Sequence, residues 1–282
     1  MPWFRRTEWL GLVLCWTAVA LVSGAFAWLL FDLLWQGVPR LSLAFLSTPP
    51  LDSGRSGGIS TILVSTLLIL SVCMAVSLPL GLGTAILLAE FTSDESRFGR
   101  FVRRSLDVLA GVPSIVFGLF GNAFFCVYLG MGFSILSGGL TLACMVLPIL
   151  IRATEEGFRS APNAYRLGAA ALGMSRTRTL TALLLPAATP GLLVGLVLGI
   201  GRAAAETAAL IFTSGYVDRM PESLLDSGRA LSVHIFDLSM NIGGGEQNAY
   251  AAVVVLIALL LVINLLAATL TDRWLPRGAL HP

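Results

Sequence analysis

Two ionisable side chains stand inside a strongly apolar stretch of the sequence. Arg202 and Glu206 are separated by three alanines, within a mainly apolar run from 188 to 213. A spacing of four residues brings both charges to one face of a helix, where they can pair. A charge at mid-membrane depth costs at least about 2.5 to 3.5 kcal/mol, so it is expected to face protein or water. The pair therefore predicts either an ion pair that holds helices together or a site for a charged solute.

As a solute site, this pair suits an oxyanion. The planar guanidinium of Arg202 matches such anions with two parallel hydrogen bonds. Glu206 has two possible roles: it closes the path by pairing with Arg202, or it accepts a hydrogen bond from a substrate that carries a proton. The second role favours phosphate over sulfate, which has no proton to donate at neutral pH. We place the neighbouring Thr207 in the same substrate pathway.

The element that must position these charges is a helix with a glycine face. Gly191, Gly195 and Gly199 form a doubled G-x-x-x-G pattern, which allows close helix packing. At roughly 100° per residue, the glycines, Arg202 and Glu206 project within about 80° of one another. We predict one continuous helix that carries all five on one face.

Composition places that helix in a membrane protein. The 282 residues are 56% hydrophobic and only 12% charged, too little polar surface for a soluble globule. A cleaved signal peptide is the alternative for the first apolar run, but that run is too long. Prolines within the runs, at 79, 113 and 148, suggest kinks. We predict a single all-α integral membrane domain, 1–282, with six spans at about 10–34, 59–89, 105–129, 136–151, 188–213 and 249–270.

The basic residues exclude some chemistry and give an orientation. All 18 are arginine, and a nucleotide-binding P-loop or a Schiff base needs lysine. We therefore expect no catalytic site, and a separate ATPase if ATP drives the process. The four cysteines lie in different runs and the two histidines have no ligand cluster around them, so we expect no metal and no cofactor. Of the arginines, 13 fall on one side of the spans and 4 on the other, which predicts cytoplasmic termini.

Two loops are longer than connections require. The cytoplasmic loop, 152–187, predicts two short helices: Ser160 caps the first, Gly173 ends it, Ser175 caps the second and Pro186 breaks it. The external loop, 214–248, includes an apolar patch at Val233, Ile235, Phe236 and Leu238. Such a loop suits the membrane surface or an extracytoplasmic partner.

Several motifs resemble one transporter family across nearly the whole chain. The segment 166–173, followed by Leu-Leu-Leu-Pro at 183–186, resembles the E-A-A-x-x-x-G loop of permease subunits in binding-protein-dependent ABC importers. Leu167 stands where that signature has glutamate. The stretches 111–121, 148–156 and 202–213 resemble the PstA-type subunit of phosphate importers, whose R-A-x-G-E-T-A-P-L motif has an arginine and a glutamate implicated in transport. Ala205 and Ala209 replace its glycine and proline, which predicts a stiffer helix.

The resemblance implies a type I, MetI-like permease in the inner membrane that carries inorganic phosphate into the cytoplasm. It implies a second permease subunit as heterodimer partner, two cytoplasmic ATPase subunits and an external phosphate-binding protein. It also implies a coupling helix that docks on the ATPase, formed by Tyr165, Arg166, Leu167, Gly168, Ala169, Ala170, Leu172 and Gly173.

Two alternatives stay open. One is an ABC permease for sulfate, molybdate or another oxyanion. The other is a proton-coupled secondary anion transporter in which Glu206 carries the proton. The docking-type cytoplasmic loop argues against the second.

Overall fold

The chain folds almost entirely into helices. A computed structural model describes residues 2–93 and 95–274, and it describes the side chains of all of these except 2–8, 10 and 270–274. Within this part, five helices are long and apolar enough to cross a bilayer, and a bent pair of helices can supply a sixth span. Four of the arginines counted for the predicted orientation (Arg5, Arg6, Arg273 and Arg277) and His281 lie outside the described side chains. That orientation stays a prediction.

The first helix stands apart from the rest. Helix α1 (Pro2–Gly37) is exposed along nearly all of its described length. It meets the last helix, α12 (Glu246–Trp274), where Gly37 lies against Tyr250 and Val254. A short connecting segment follows: α2 (Leu43–Ser47) and the antiparallel strands β1 (Pro50–Leu51) and β2 (Ser56–Gly57).

Three helices form the centre of the molecule. Helix α3 (Ser60–Glu90) and helix α6 (Ile135–Ser160) pack along their lengths, and α9 (Leu185–Ala204) packs on the other side of α6. Their buried side chains include Ile69, Leu142, Val146 and Leu150. Pro79 and Pro148 lie inside continuous helices.

The predicted span 105–129 is not one straight helix. Helix α4 (Arg97–Ala110) meets the segment formed by α5 (Ser114–Gly121) and a π-helix (Asn122–Tyr128) at 101°. Pro113 disfavours helical conformation at Val112, and the chain turns at Gly111–Pro113. The second segment packs against α6, and its helix α5 also contacts residues 208–211.

The structure of the predicted cytoplasmic loop, 152–187, differs from the prediction in two ways. Helix α7 (Asn163–Ala171) begins after Pro162, and the Ser160 hydroxyl donates to the Gly157 carbonyl instead of capping it. The expected break at Pro186 is absent: α8 (Arg176–Thr179), a π-helix (Leu180–Leu184) and α9 run on without interruption. Pro186 cannot donate to the carbonyl four residues earlier, and the wider π turn precedes it. The remaining helices are α10 (Ala208–Ile211) and α11 (Leu231–Met240).

Candidate functional site

The glycines of α9 lie against α6. A Cβ atom at Gly191 would come 2.6 Å from the Cα atom of Gly157, and one at Gly199 would come 2.7 Å from a methyl group of Val146. Gly195 lies between them, against Leu150 and Ala153. The two backbones therefore approach closely at Gly191 and Gly157, where both residues lack a side chain.

The helix that carries these glycines does not extend to Glu206. Helix α9 ends at Ala204, Ala205 forms a turn, and Glu206 and Thr207 lie in a short non-helical stretch before α10. The prediction of one continuous helix carrying both charges is therefore wrong. The replacement of glycine by Ala205 does not prevent the break.

Side chains from outside the helix stabilise this break. The Glu206 carboxylate accepts a hydrogen bond from the backbone N–H of Ala209 at 3.3 Å, and the Ser232 hydroxyl donates to the Glu206 carbonyl at 2.6 Å. Ala209 packs on Gly118 of α5, where a Cβ atom would come 2.9 Å from the Ala209 Cα. Interrupted helices occur at membrane depth where protein or water satisfies the freed backbone groups, as these contacts do.

Arg202 lies in the last turn of α9, just before the break, and its side chain is exposed. Among the described residues it makes no hydrogen bond and no ion pair, including with Glu206. It continues an exposed stripe formed by Val194 and Leu198, which are 53% and 54% exposed. Arg202 thus lies on a surface of α9 that no part of the described chain covers.

The predicted coupling segment is a helix with a defined C-terminal cap, and Arg166 fixes it to the rest of the chain. The N–H of Gly173, at a φ of +65°, donates to Ala170 at 3.1 Å, and that of Met174 donates to Ala169 at 2.9 Å. This is a Schellman motif, which glycine favours. Arg166 points inward and donates to both carboxylate oxygens of Glu90, at 2.5 and 3.2 Å, and to the carbonyls of Phe158 and Ala161.

Other residues of this segment are apolar and exposed. Tyr165, Leu167 and Leu172 are 43%, 72% and 81% exposed, and a side chain at Gly168 would meet nothing within 4 Å. Ala169 is buried, whereas Ala170 is exposed. Leu167, at the position of the signature glutamate, therefore points away from the chain.

Sequence reasoning missed a cluster near the C-terminal end of α6, at the end of the molecule that the arginine counts predict to be cytoplasmic and that is called the cytoplasmic end below. Glu155 is buried, and its carboxylate lies 2.8 Å from Arg103 Nε, 3.1 Å from Arg159 Nε and 3.6 Å from Arg152 Nη1. Arg103 also donates to the Leu88 carbonyl, which joins α3, α4 and α6. The i, i+3 and i, i+4 spacing of Arg152 and Arg159 around Glu155 could have predicted part of it.

The opposite end of the molecule, predicted to be external and called the external end below, contains a second buried arginine. Arg229 donates from Nε to the Tyr216 carbonyl at 2.8 Å, and its Nη1 lies 3.5 Å from Asp237. His234, beside them, is fully buried against Gly54, and neither ring nitrogen has a hydrogen-bond partner in the described chain. Burial, reinforced by the Arg229 charge and opposed by Asp237, lowers the pKa of His234 to about 4.

The sequence matches the family model of the binding-protein-dependent transport system inner membrane component over residues 77–277. The chain belongs to this family. It is therefore a permease subunit of an ABC importer, and the secondary-transporter alternative is set aside. The match includes α6, the predicted coupling helix α7, the break after α9 and the predicted external loop.

Curated relatives agree with this assignment. The chain is 34% identical to the phosphate transport system permease protein PstA of Yersinia pestis, over 94% of this chain and 90% of that protein. It is 32% identical to the probable ABC transporter permease protein YqgI of Bacillus subtilis, over 91% of this chain and 89% of that one.

Solved structures share the fold. A chain of the inward-facing MetNI methionine ABC transporter superposes with a TM-score of 0.60 at 17% identity, covering 78% of this chain and 95% of that one. A chain of the bacterial alginate ABC transporter in complex with its alginate-bound periplasmic protein gives 0.64 at 14% identity, covering 92% and 94%. The architecture is that of a MetI-like importer permease, as expected from the sequence.

Proposed function

We propose that this permease imports inorganic phosphate and that Arg202 attracts the anion to the translocation path. The observation that carries this proposal is an arginine on an apolar transmembrane helix, exposed and without a partner in the described chain. An isolated charge at that depth is too costly to face lipid, so it needs water, an anion or a second protein chain. The similarity to curated PstA proteins supports phosphate as the anion.

Glu206 supplies the preference among oxyanions. One of its oxygens accepts from the Ala209 N–H, and the carboxylate keeps lone pairs for a second donor. Phosphate at neutral pH carries a proton that it can donate to such an acceptor, whereas sulfate brings only negative charge. Thr207, beside Glu206 in the break, adds a hydroxyl to the same path.

The assembly follows from the uncovered surfaces. The exposed stripe of Val194, Leu198 and Arg202 faces a related second permease subunit, and the path runs between the two subunits. The apolar face of the coupling helix, with Leu167 and Leu172, docks on one of two cytoplasmic ATPase subunits. A phosphate-binding protein delivers the substrate on the external side, and both termini are cytoplasmic in the inner membrane.

The test is ATP-dependent uptake of labelled phosphate by the assembled complex in proteoliposomes. Arg202→Gln should lower uptake by at least about tenfold, which corresponds to the loss of a charged hydrogen bond worth about 1.5 to 3 kcal/mol. Arg219→Gln removes an exposed arginine of the external loop and should keep the wild-type rate. Equal uptake by wild type and Arg202→Gln would refute the role of Arg202.

Substrate identity is tested by competition in the same vesicles. An excess of sulfate should leave uptake of phosphate by the wild type unchanged. Glu206→Gln keeps an oxygen for the Ala209 N–H but removes the charge, so sulfate should begin to compete. Competition by sulfate or molybdate in the wild type would assign the permease to another oxyanion.

A further inference from the structure

Helix α4 has two exposed flanks of different chemistry. With Arg97 taken as the origin, Arg100 and Arg104 project at about 300° and 340°. Val108, Phe101 and Phe98 project at about 20°, 40° and 100° on the other side. Phe98, Phe101 and Val108 are 58%, 70% and 71% exposed, and the three arginines are exposed too.

The opposite face of α4 fixes the helix to the protein. Leu106 packs with Leu88 of α3 and Ile151 of α6, and Gly99 is buried close to Thr92. Asp107, at the edge of the arginine flank, pairs with Arg152 of α6 at 2.5 Å. The side chains of Arg97, Arg100 and Arg104 make no hydrogen bond or ion pair in 2–93 and 95–274. Their charge is therefore not neutralised within this part of the chain.

The direction and depth of α4 match a membrane surface. It meets the segment Ser114–Tyr128 at 101°, and that segment packs against α6. If Ser114–Tyr128 crosses the bilayer beside α6, α4 runs nearly parallel to the bilayer plane. Arg103 of α4 pairs with Glu155 of α6, which fixes the level of α4 along that helix. Glu155 lies 20 positions after the start of α6, or about 30 Å of helix, which equals the thickness of a hydrocarbon core. Helix α4 thus lies where the acyl chains meet the head groups.

We propose that α4 is an interfacial helix that binds anionic phospholipid head groups of the cytoplasmic leaflet. Phe98, Phe101 and Val108 enter the acyl boundary, and Arg97, Arg100 and Arg104 contact the lipid phosphates. Charge complementarity selects this partner, because arginines beside an apolar flank are typical of helices that lie on anionic membranes. The lipid holds α4 against α3 and α6 at the end of the molecule that carries the coupling helix.

The test compares the full-length chain with two doubly substituted variants that lose equal charge. Arg100→Gln/Arg104→Gln changes the proposed lipid site. Arg176→Gln/Arg178→Gln removes two exposed arginines from α8, where Arg176 precedes Gly191 by 15 residues, or about 22 Å of helix, farther from the bilayer. Each protein is reconstituted in phosphatidylcholine bilayers, and the relative association constant of spin-labelled phosphatidylglycerol is measured by electron paramagnetic resonance.

The first variant should lose affinity for phosphatidylglycerol by about fivefold per arginine, the equivalent of about 1 kcal/mol each. The α8 variant should match the wild type, and spin-labelled phosphatidylcholine should bind all three proteins equally. Equal phosphatidylglycerol affinity in wild type and the α4 variant would overturn the proposal.

A second measurement distinguishes lipid from a protein partner. In a Cys15→Ala background, Phe101→Cys should resist a membrane-impermeant maleimide in bilayers, both in the isolated chain and in the assembled complex. Arg104→Cys should react faster than Phe101→Cys in both. Protection of Phe101→Cys only after assembly would mean that a protein subunit covers this face, and rapid labelling in both states would mean that water does.

Discussion

Arginines serve two different purposes in this permease, and the contrast lies between the cytoplasmic end of the molecule and the last turn of α9. At the cytoplasmic end, Arg103, Arg152 and Arg159 surround the buried Glu155, and Arg166 makes a bidentate contact with Glu90. In the last turn of α9, Arg202 has no such partner in the part of the chain that is described. The first group connects helices, whereas Arg202 is available to a group outside the chain.

The difference follows from what surrounds each charge. A buried carboxylate needs compensating donors and charge. Arg103 and Arg159 each donate a hydrogen bond to Glu155 Oε1, and the Arg152 guanidinium lies 3.6 Å from Oε2 as an ion pair. Around Arg202, the nearby acid Glu206 is turned toward the backbone N–H of Ala209 by the break in the helix. Breaking the helix thus separates two charges that a continuous helix would have paired.

The largest expected effect on stability is at the cytoplasmic end. Glu155→Gln removes the charge that three arginines share, and we expect a loss of about 3 kcal/mol, the low end of the range for a broken buried ion pair, because the arginines keep some access to water. Glu156→Gln, at the exposed neighbouring position, is the matched control and should change little. Denaturant unfolding of the purified protein measures both, and equal midpoints would show that the cluster does not hold the helices.

The contact between α6 and α9 joins the two regions. Gly191→Ala places a methyl group 2.6 Å from the Gly157 Cα and 2.7 Å from the Ala153 carbonyl oxygen, so we expect a loss of about 1 to 3 kcal/mol from overpacking. Gly201→Ala, in the same helix with nothing within 4 Å, should be neutral or slightly stabilising. Thermal unfolding of the two variants tests this, and a harmless Gly191→Ala would mean that the helices separate easily.

Arg166→Lys retains the charge at the cytoplasmic end but loses the forked geometry. A lysine cannot make both hydrogen bonds to Glu90 and reach two backbone carbonyls at once, so we expect a loss of about 1 to 2 kcal/mol. Hydrogen exchange should accelerate in α7 (Asn163–Ala171) and stay unchanged in α3. Wild-type exchange in α7 would mean that charge alone fixes the coupling helix.

At the external end, Arg229 pairs with an acid of the chain, as the arginines at the cytoplasmic end do, and burial together with the Arg229 charge lowers the pKa of His234. His234 has a pKa of about 4 in the folded protein and 6.5 as its ordinary value, so the unfolded chain takes up the proton first as the pH falls. The contribution of neutral His234 to the free energy of unfolding is fully present above pH 6.5. It should decrease toward pH 4 by about 1 kcal/mol per pH unit. His234→Phe should flatten this slope in thermal unfolding between pH 7 and 4, and an unchanged slope would assign it to other groups.

The sequence predicted those features that depend on local patterns. The apolar runs gave the membrane helices, Gly173 gave the end of the coupling helix, and the glycine spacing of α9 suggested its close packing. The break at Ala205 was not predictable in this way, because three consecutive alanines favour helix and the stabilising contacts come from Ser232 and Gly118. Proline showed the same limit: Pro113 accompanies a sharp bend, whereas Pro79 and Pro148 lie within continuous helices.

The smallest effect on stability is expected where the proposed effect on transport is largest. Arg202→Gln removes no contact within the described chain, so the free energy of unfolding of the isolated subunit should change by less than about 0.5 kcal/mol. Glu155→Gln, measured beside it, should show the reverse pattern: a weakened fold, with uptake per assembled complex largely retained. If Arg202→Gln instead unfolded as readily as Glu155→Gln, Arg202 would be a structural contact like the cytoplasmic arginines. The loss of uptake would then reflect loss of the fold. The distinction between arginines paired within the chain and an arginine that binds a group outside it would not describe this protein.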